Sequence, residues 1–276
     1  RSRSNSLSGN LIHEIVPDEA GNIWVGTEDA GLNKINPVKN TITNFLPGKS
    51  KESISYRNIH GLLASGNELW VGTYGNGLEV LNIKTGKVVR RYKEGTKPGD
   101  LGNNYIVCIG TNRNRDILVG TFLGIYKYNK AADNFIKDPY FTMQIQNMHE
   151  DSDGTLWVAS YGHGVYYLNT KTGLRGSFKM ERKNASTIPS NYVNNLFEDS
   201  RHNIWFCTEA GVCKYDRNTK QIERYTNENE LPDNQSFKIL EDSKGFLWIS
   251  TSNGLLRLDP ETKRYRTYTI ANGLLT

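Results

Sequence analysis

The chain has 276 residues, of which 37% are apolar and 23% charged, a composition that suits a globular protein and excludes a disordered one. Its net charge of +5 comes from lysines and arginines spread in ones and twos, so we expect no basic face for nucleic acid. It lacks the roughly 18 consecutive apolar residues that a membrane span needs, and it lacks the apolar stretch after Arg1 that would predict a signal peptide.

One six-residue motif occurs six times and indicates that the chain is built from repeats. It reads Asn-Ile-Trp-Val-Gly-Thr at 22–27 and returns with small changes at 68–73, 116–121, 155–160, 203–208 and 246–251. Five copies contain a tryptophan, and the third has Leu118 in its place. Successive copies of this anchor residue are 46, 48, 39, 48 and 43 residues apart. This spacing is typical of a four-stranded propeller blade and is longer than an ankyrin or tetratricopeptide repeat.

Each repeat is predicted to contain four short strands. An inner strand such as 10–15 ends at a polar turn, and the tryptophan strand follows it. The third strand begins at a glycine such as Gly31, and the fourth alternates rings with charges, as at 264–268. Because the tryptophan strand is apolar on both faces, we expect it to lie buried between two layers. The charged fourth strand is typical of an exposed edge.

The sequence therefore predicts an all-β chain. Its fold is expected to be a β-propeller of six four-stranded antiparallel blades, either closed as a six-blade ring or forming part of a seven-bladed propeller. The blades are expected at approximately 8–50, 55–95, 100–138, 141–180, 188–228 and 232–270. The last residues, 272–276, have the composition of a seventh linker, so we expect the chain to be a segment of a longer array.

Patterns associated with catalysis are weak, and we predict no catalytic residue, metal site or cofactor. The five histidines show no metal-ligand spacing; His13 and His60 share an inner-strand position and are interpreted as scaffold, and His202 as a turn residue. The acidic pairs 150–151, 198–199 and 241–242 recur in three blades. A catalytic pair is needed only once, so we interpret them as structural turns.

The three cysteines are too few for a disulfide framework. Cys207 and Cys213 are expected to face each other across one hairpin. Two buried thiols are the favoured interpretation, and a cross-strand disulfide stays open if the compartment is oxidising. Cys108 is interpreted as a small core residue.

The loops after the tryptophan strands differ from blade to blade and are expected to share one face with the linkers that enter the inner strands. Loops on a rigid scaffold often carry function, and rings with polar tips suit sugars or peptides. The ligand-binding candidates are therefore Tyr74, Tyr161 and His163 in the loops, with Arg57, Tyr105 and Tyr192 near the strand entrances. The alternative is that these side chains pack against a neighbouring blade or propeller.

The phrase Gly-Asn-Ile-Trp-Val-Gly-Thr at 21–27, with Gly-Leu after it and an Asn-x-Ile strand before it, resembles the two-component regulator propeller repeat. The third and fifth copies depart from it at Leu118 and Cys207. The resemblance implies the periplasmic sensor half of a hybrid histidine kinase, as in Bacteroides-like bacteria, in which seven-bladed propellers respond to oligosaccharides released from glycans.

On this resemblance we expect a non-catalytic, periplasmic sensor fragment that binds an oligosaccharide and passes the signal to downstream domains. Its expected partners are a neighbouring propeller or β-sandwich domain of the same protein, and a homodimer is left open. One alternative is a propeller scaffold for protein–protein interaction. Another is a propeller-fold polysaccharide lyase or hydrolase, which would need a His/Tyr/Arg or carboxylate/metal cluster in a central funnel.

Overall fold

The computed structural model describes residues 5–226 and 235–274. The chain forms two compact units, Arg1–Gln144 and Ile145–Thr276. Each described unit consists of β-strands, and the second also contains one 3-10 turn at Ile270–Asn272. The predicted limits 228 and 232 and the residues 275–276 lie outside the described residues.

The first unit contains three four-stranded sheets, or blades 1 to 3. Their strands are β1 (Ile12–Pro17), β2 (Ile23–Thr27), β3 (Leu32–Asn36) and β4 (Thr41–Phe45); β5 (Ile59–Ser65), β6 (Glu68–Thr73), β7 (Leu78–Asn82) and β8 (Val88–Tyr92); and β9 (Ile106–Thr111), β10 (Ile117–Thr121), β11 (Gly124–Asn129) and β12 (Asn134–Lys137).

The second unit contains three more sheets, blades 4 to 6. Their strands are β13 (Ile145–Glu150), β14 (Thr155–Ser160), β15 (Gly164–Asn169) and β16 (Arg175–Phe178); β17 (Val193–Glu198), β18 (Ile204–Thr208), β19 (Gly211–Asp216) and β20 (Gln221–Tyr225); and β21 (Ser236–Glu241), β22 (Leu247–Thr251), β23 (Gly254–Leu258) and β24 (Tyr265–Tyr268).

In every sheet the four strands lie side by side in chain order, and each pairs antiparallel with the next. The tryptophan strand is second in its blade and is buried, as Trp24 and Trp205 illustrate. The fourth strand is more exposed, for example at Tyr265. The predicted fold class, an all-β propeller with six four-stranded antiparallel blades, is confirmed.

An aspartate in the turn before the tryptophan strand organises most blades. The Asp18 carboxylate accepts hydrogen bonds from the Trp24 indole Nε1 at 2.9 Å and from the Asn22 backbone N–H at 2.9 Å. The same indole bond occurs at 2.7 Å for Asp151 and Trp157, 2.7 Å for Asp199 and Trp205, and 2.8 Å for Asp242 and Trp248. Three of these aspartates belong to the acidic pairs noted above, and each serves its own blade.

The glycine that opens the third strand is held by the last residue of the tryptophan strand. In blade 4 the Ser160 hydroxyl donates to the Gly164 carbonyl at 2.8 Å. Gly164 has φ +84°, and a Cβ at this position would lie 2.2 Å from the Phe178 carbonyl oxygen of the fourth strand. Only glycine fits this combination of left-handed backbone and close strand contact.

The two cysteines of blade 5 do not face each other, so that prediction was wrong. The loop between β18 and β19 has two residues, which pairs Cys207 with Val212 and Cys213 with Phe206. Neighbouring residues on a strand point to opposite faces of the sheet, so the two thiols also point to opposite faces. Both are buried and free.

Candidate functional site

Two tyrosine pairs are built by the same local sequence. Tyr-Gly-x-Gly follows the tryptophan strand at 74–77 and again at 161–164, and Asn-Tyr stands at the entrance to the next blade at 104–105 and 191–192. In both places the backbone carbonyl of the asparagine accepts hydrogen bonds from the backbone N–H groups of the two glycines. The distances are 3.2 and 2.9 Å for Asn104 and 3.1 and 2.9 Å for Asn191. These bonds join the loop of one blade to the entrance of the next.

In the first unit this arrangement brings Tyr74 and Tyr105 together. Their backbones form an antiparallel bridge, and their rings meet edge to face with centroids 5.2 Å apart. Phe122 stacks on Tyr105 at 4.9 Å, and the Tyr105 residue is 40% exposed. These three rings form the first aromatic cluster, which offers both apolar ring surface and phenol hydroxyls to a ligand.

In the second unit Tyr161 and Tyr192 form the equivalent pair. Their backbones are bridged, their ring centroids are 4.8 Å apart in an edge-to-face arrangement, and each residue is 42% exposed. His163 is in the same loop, and its ring Nδ1 lies 3.2 Å from the Tyr161 carbonyl oxygen. The structure therefore brings three of the six candidate residues together in this unit.

Arg57 stands at the entrance to β5 and lines a shallow cavity of about 450 Å³ with Tyr56 and Asn58. Its backbone carbonyl accepts the Gly31 N–H at 2.8 Å, which fixes the main chain at the edge of blade 1. The neighbouring Asn58 carbonyl accepts the Tyr74 N–H at 3.0 Å. Arg57 is thus next in sequence to Asn58, whose backbone carbonyl positions Tyr74 of the first aromatic cluster.

Each inner strand contains a β-bulge one residue after its start, a feature that the sequence analysis missed. A bulge leaves one residue unpaired and changes the direction of its side chain. The bulged residues are His13, His60, Val107, Gln146, Asn194 and Phe237. The recurring position of His13 and His60 was the available signal, and it was interpreted as scaffold.

The bulges of blades 1 and 2 direct two histidines toward Glu28. His13 Nε2 contacts the Glu28 carboxylate, and His60 Nε2 lies 3.6 Å from the same oxygen. The His60 ring stacks on His13 at 3.7 Å and on Tyr74 at 4.2 Å, which continues the first aromatic cluster. Burial and the neighbouring His13 lower the pKa of His60 to about 4, so this imidazole is neutral at neutral pH.

His13, Glu28 and His60 together offer three ligand atoms within 4.8 Å of one another. Two imidazoles and a carboxylate are a donor set that zinc accepts at about 2.0–2.2 Å. The two rings are stacked with 28° between their planes, so their nitrogen lone pairs lie in nearly parallel planes and do not converge on one point between the rings. The cluster could hold a metal ion only after the rings turn apart.

Four segments of the chain match one family model. Residues 6–29, 139–162, 187–210 and 230–253 match the family model described as two component regulator propeller. These four segments are similar to two-component regulator propeller repeats. The matched segments 139–162 and 187–210 include Tyr161 and Tyr192, whereas Tyr74 and Tyr105 lie outside the matched segments.

A histidine kinase, the extracellular domain of a two-component system and a lyase each contain a region similar to the chain. Histidine kinase P4 of Formosa agariphila is 27% identical over 223 residues, which are 76% of this chain and 16% of that protein. The extracellular domain of the hybrid two-component system BT3049 from B. thetaiotaomicron has a TM-score of 0.80 and 23% identity, over 95% of this chain and 35% of that chain. Virginiamycin B lyase from Staphylococcus aureus has a TM-score of 0.69 and 15% identity, over 94% of this chain and 84% of that chain.

The chain spans well under half of the first two of these proteins. At 23% and 15% identity the two structural likenesses show the propeller fold and nothing about activity. Among residues 5–226 and 235–274, no helix is long and apolar enough to cross a membrane.

Proposed function

We propose that the chain is a non-catalytic part of the sensor region of a two-component histidine kinase and that it binds an oligosaccharide on its tyrosine loops. The observation that carries this proposal is the repeated tyrosine pairing, of half-buried Tyr74 with exposed Tyr105 and of exposed Tyr161 with exposed Tyr192. Sugar rings present apolar C–H faces and a rim of hydroxyls, and an exposed phenol offers a matching apolar face and polar tip.

The relatives support the setting of the proposal. The histidine kinase relative and the extracellular domain of a hybrid two-component system both contain a region similar to this chain. A chain in that position lies outside the cytoplasm, in the periplasm of a Gram-negative cell, and ligand binding is its contribution to signalling. The likeness to a lyase does not favour catalysis, because one fold supports many unrelated functions.

The test is a thermal-shift screen of the chain against oligosaccharides, followed by calorimetry with each one that raises the melting temperature. A ligand that binds only the native state stabilises it by mass action. We expect Tyr74→Ala or Tyr161→Ala to weaken binding at least tenfold for ligands that use the altered loop.

The matched control is Tyr265→Ala, because Tyr265 is 40% exposed, close to the 42% of Tyr161, but lies on the outer strand β24. Binding that withstands both loop substitutions, or that Tyr265→Ala weakens equally, would contradict the proposed site. Conversion of the oligosaccharide to products by the purified chain would contradict the non-catalytic function.

A further inference from the structure

The tryptophan of blade 2 lacks the hydrogen bond that the other four tryptophans make. Trp24, Trp157, Trp205 and Trp248 each donate their indole N–H to an aspartate six residues earlier. Trp70 is 1% exposed, and its Nε1 has no acceptor among the residues that the structure describes. A buried donor without an acceptor is unfavourable, which makes Trp70 a candidate contact for a ligand.

The missing acceptor follows from a shorter turn. In blade 1 Trp24 pairs with Val16, and Asp18 is two residues beyond Val16 on the same face of the strand. In blade 2 Trp70 pairs with Leu63, so the equivalent position is Ser65. Ser65 pairs directly with Glu68 across a two-residue loop, and the carboxylate is replaced by a hydroxyl that does not bond the indole.

Arg90 supplies a second donor without an acceptor beside this indole. Strand pairing places Trp70, Val80 and Arg90 next to one another across three strands of blade 2, and the guanidinium lies 5.6 Å from the Trp70 ring centroid. One terminal nitrogen of Arg90 donates to Glu68 at 2.8 Å. Its Nε is buried and has no acceptor among the described residues.

Both side chains line a groove of about 1130 Å³ between blades 2 and 3 of the first unit. A cavity of this size admits an organic ligand. Three of its four acidic side chains are already engaged, by a salt bridge of Glu68 with Arg90, by Lys127 at 3.6 Å from Asp116, and by two tyrosine hydroxyls that donate to Asp133. The fourth acidic residue is Glu19 of the blade 1 turn. Trp70 and Arg90 thus line the groove, and each has a buried donor atom without an acceptor among the described residues.

We propose that this groove binds the carboxylate group of a ligand, which accepts the indole N–H of Trp70 and the Nε–H of Arg90. A carboxylate is the group that fills the same position in the four other tryptophan blades. Two donors bonded to an ionised acceptor are stronger than bonds to a neutral group. The Arg90 side chain is 31% exposed, and its ion pair with Glu68 is a surface one, so the side chain can adjust its position as the ligand enters.

The test follows the five indole N–H signals by proton–nitrogen NMR, with each signal assigned from its Trp→Phe variant. The probes are glucuronate and glucose, which differ in one carboxylate. We expect the ligand-free Trp70 proton signal upfield of the four bonded indoles. Glucuronate should shift it downfield with saturation and leave the other four unchanged, and glucose should shift none.

Arg90→Lys keeps the charge and removes the Nε donor, so it should weaken the glucuronate effect at least tenfold. Arg182→Lys, in the second unit, is the control and should leave it unchanged. A Trp70 signal already downfield without ligand would overturn the proposal, because a water molecule or another group would then occupy the acceptor position. Equal shifts with glucose, or no shift with glucuronate, would also overturn it. These outcomes leave the tyrosine loops untested, so the two proposals fail separately.

Discussion

At the scale of a single residue, the aspartate before the tryptophan strand decides how the turn is closed. Asp18 is buried and holds the Trp24 indole together with the Asn22 N–H, and its exposed neighbour Glu19 makes no comparable bond in the described structure. The hydrogen bonds from Asn22 and Trp24 outweigh burial and lower the pKa of the Asp18 carboxyl, so it stays ionised. The two neighbours thus form a natural comparison.

Asp18→Ala removes the acceptor and leaves the Trp24 N–H buried without a partner. We expect a loss of about 1–3 kcal/mol in the free energy of unfolding, the usual cost of an unsatisfied buried donor. Urea denaturation followed by tryptophan fluorescence measures it. Glu19→Ala should change the free energy by less than about 0.5 kcal/mol, the range of ordinary surface substitutions; equal losses would show that the indole bond is unimportant.

His60 should make the stability of the chain sensitive to acid. Its pKa is about 4 in the folded chain and 6.5 as an ordinary histidine, so the unfolded chain takes up the proton first as the pH falls. The free energy of unfolding should therefore decrease from pH 6.5 to about 4. His13 and Glu28 face His60. The hydrogen bond from His13 lowers the pKa of Glu28 below its ordinary value of 4.5, so the stability that Glu28 contributes is lost only as the pH falls below 4.5.

The measurement is the denaturation midpoint of the wild type and of His60→Gln at steps between pH 7.5 and 4. We expect the variant to have a flatter profile from pH 6.5 downward, because glutamine takes up no proton. Profiles of the same slope would contradict the assignment of this acid sensitivity to His60.

At the scale of one element, the glycine that opens the third strand joins two strands closely. Gly164→Ala would combine a left-handed backbone with a Cβ 2.2 Å from the Phe178 carbonyl, so β16 would have to move away from β15. Gly173 has φ +73° and no atom within 4 Å of a Cβ. Substitution of Gly173 therefore measures the free-energy cost of a left-handed alanine without a steric clash.

We expect Gly173→Ala to cost about 1–2 kcal/mol, the penalty for a left-handed residue alone. Gly164→Ala should cost clearly more, because the displaced strand loses pairing as well as backbone freedom. Chemical denaturation monitored by circular dichroism compares the two. Similar losses would indicate that β16 accommodates the methyl group without displacement.

Strand order was predictable, whereas strand register was not. The tryptophan and glycine positions mark each strand because burial and left-handed turns demand those residue types. The prediction for Cys207 and Cys213 failed because a two-residue loop shifts the pairing by one residue and reverses the direction of a side chain. The bulges at His13 and His60 were missed for the same reason, since a bulge is visible only when both strands are paired.

At the scale of the whole molecule, the repeated motif predicted the fold, and the loops that differ from blade to blade predicted the candidate site residues. Six similar phrases were sufficient for the blade prediction. The tyrosine pairs were predicted as separate loop and entrance residues, and their pairing depends on the backbone bridges from Tyr74 to Tyr105 and from Tyr161 to Tyr192. Only the structure reveals these bridges, because each joins residues about 30 positions apart.

The most direct test of the account is hydrogen–deuterium exchange of the chain with and without an oligosaccharide that raises its melting temperature. A ligand slows exchange where it orders the loops that it contacts. We predict protection in the segments 74–77 and 104–105, or 161–164 and 191–192, with the outer strands β8 and β16 unchanged. Protection confined to the outer strands, or spread evenly over all blades, would contradict a sugar-binding surface formed by the tyrosine loops.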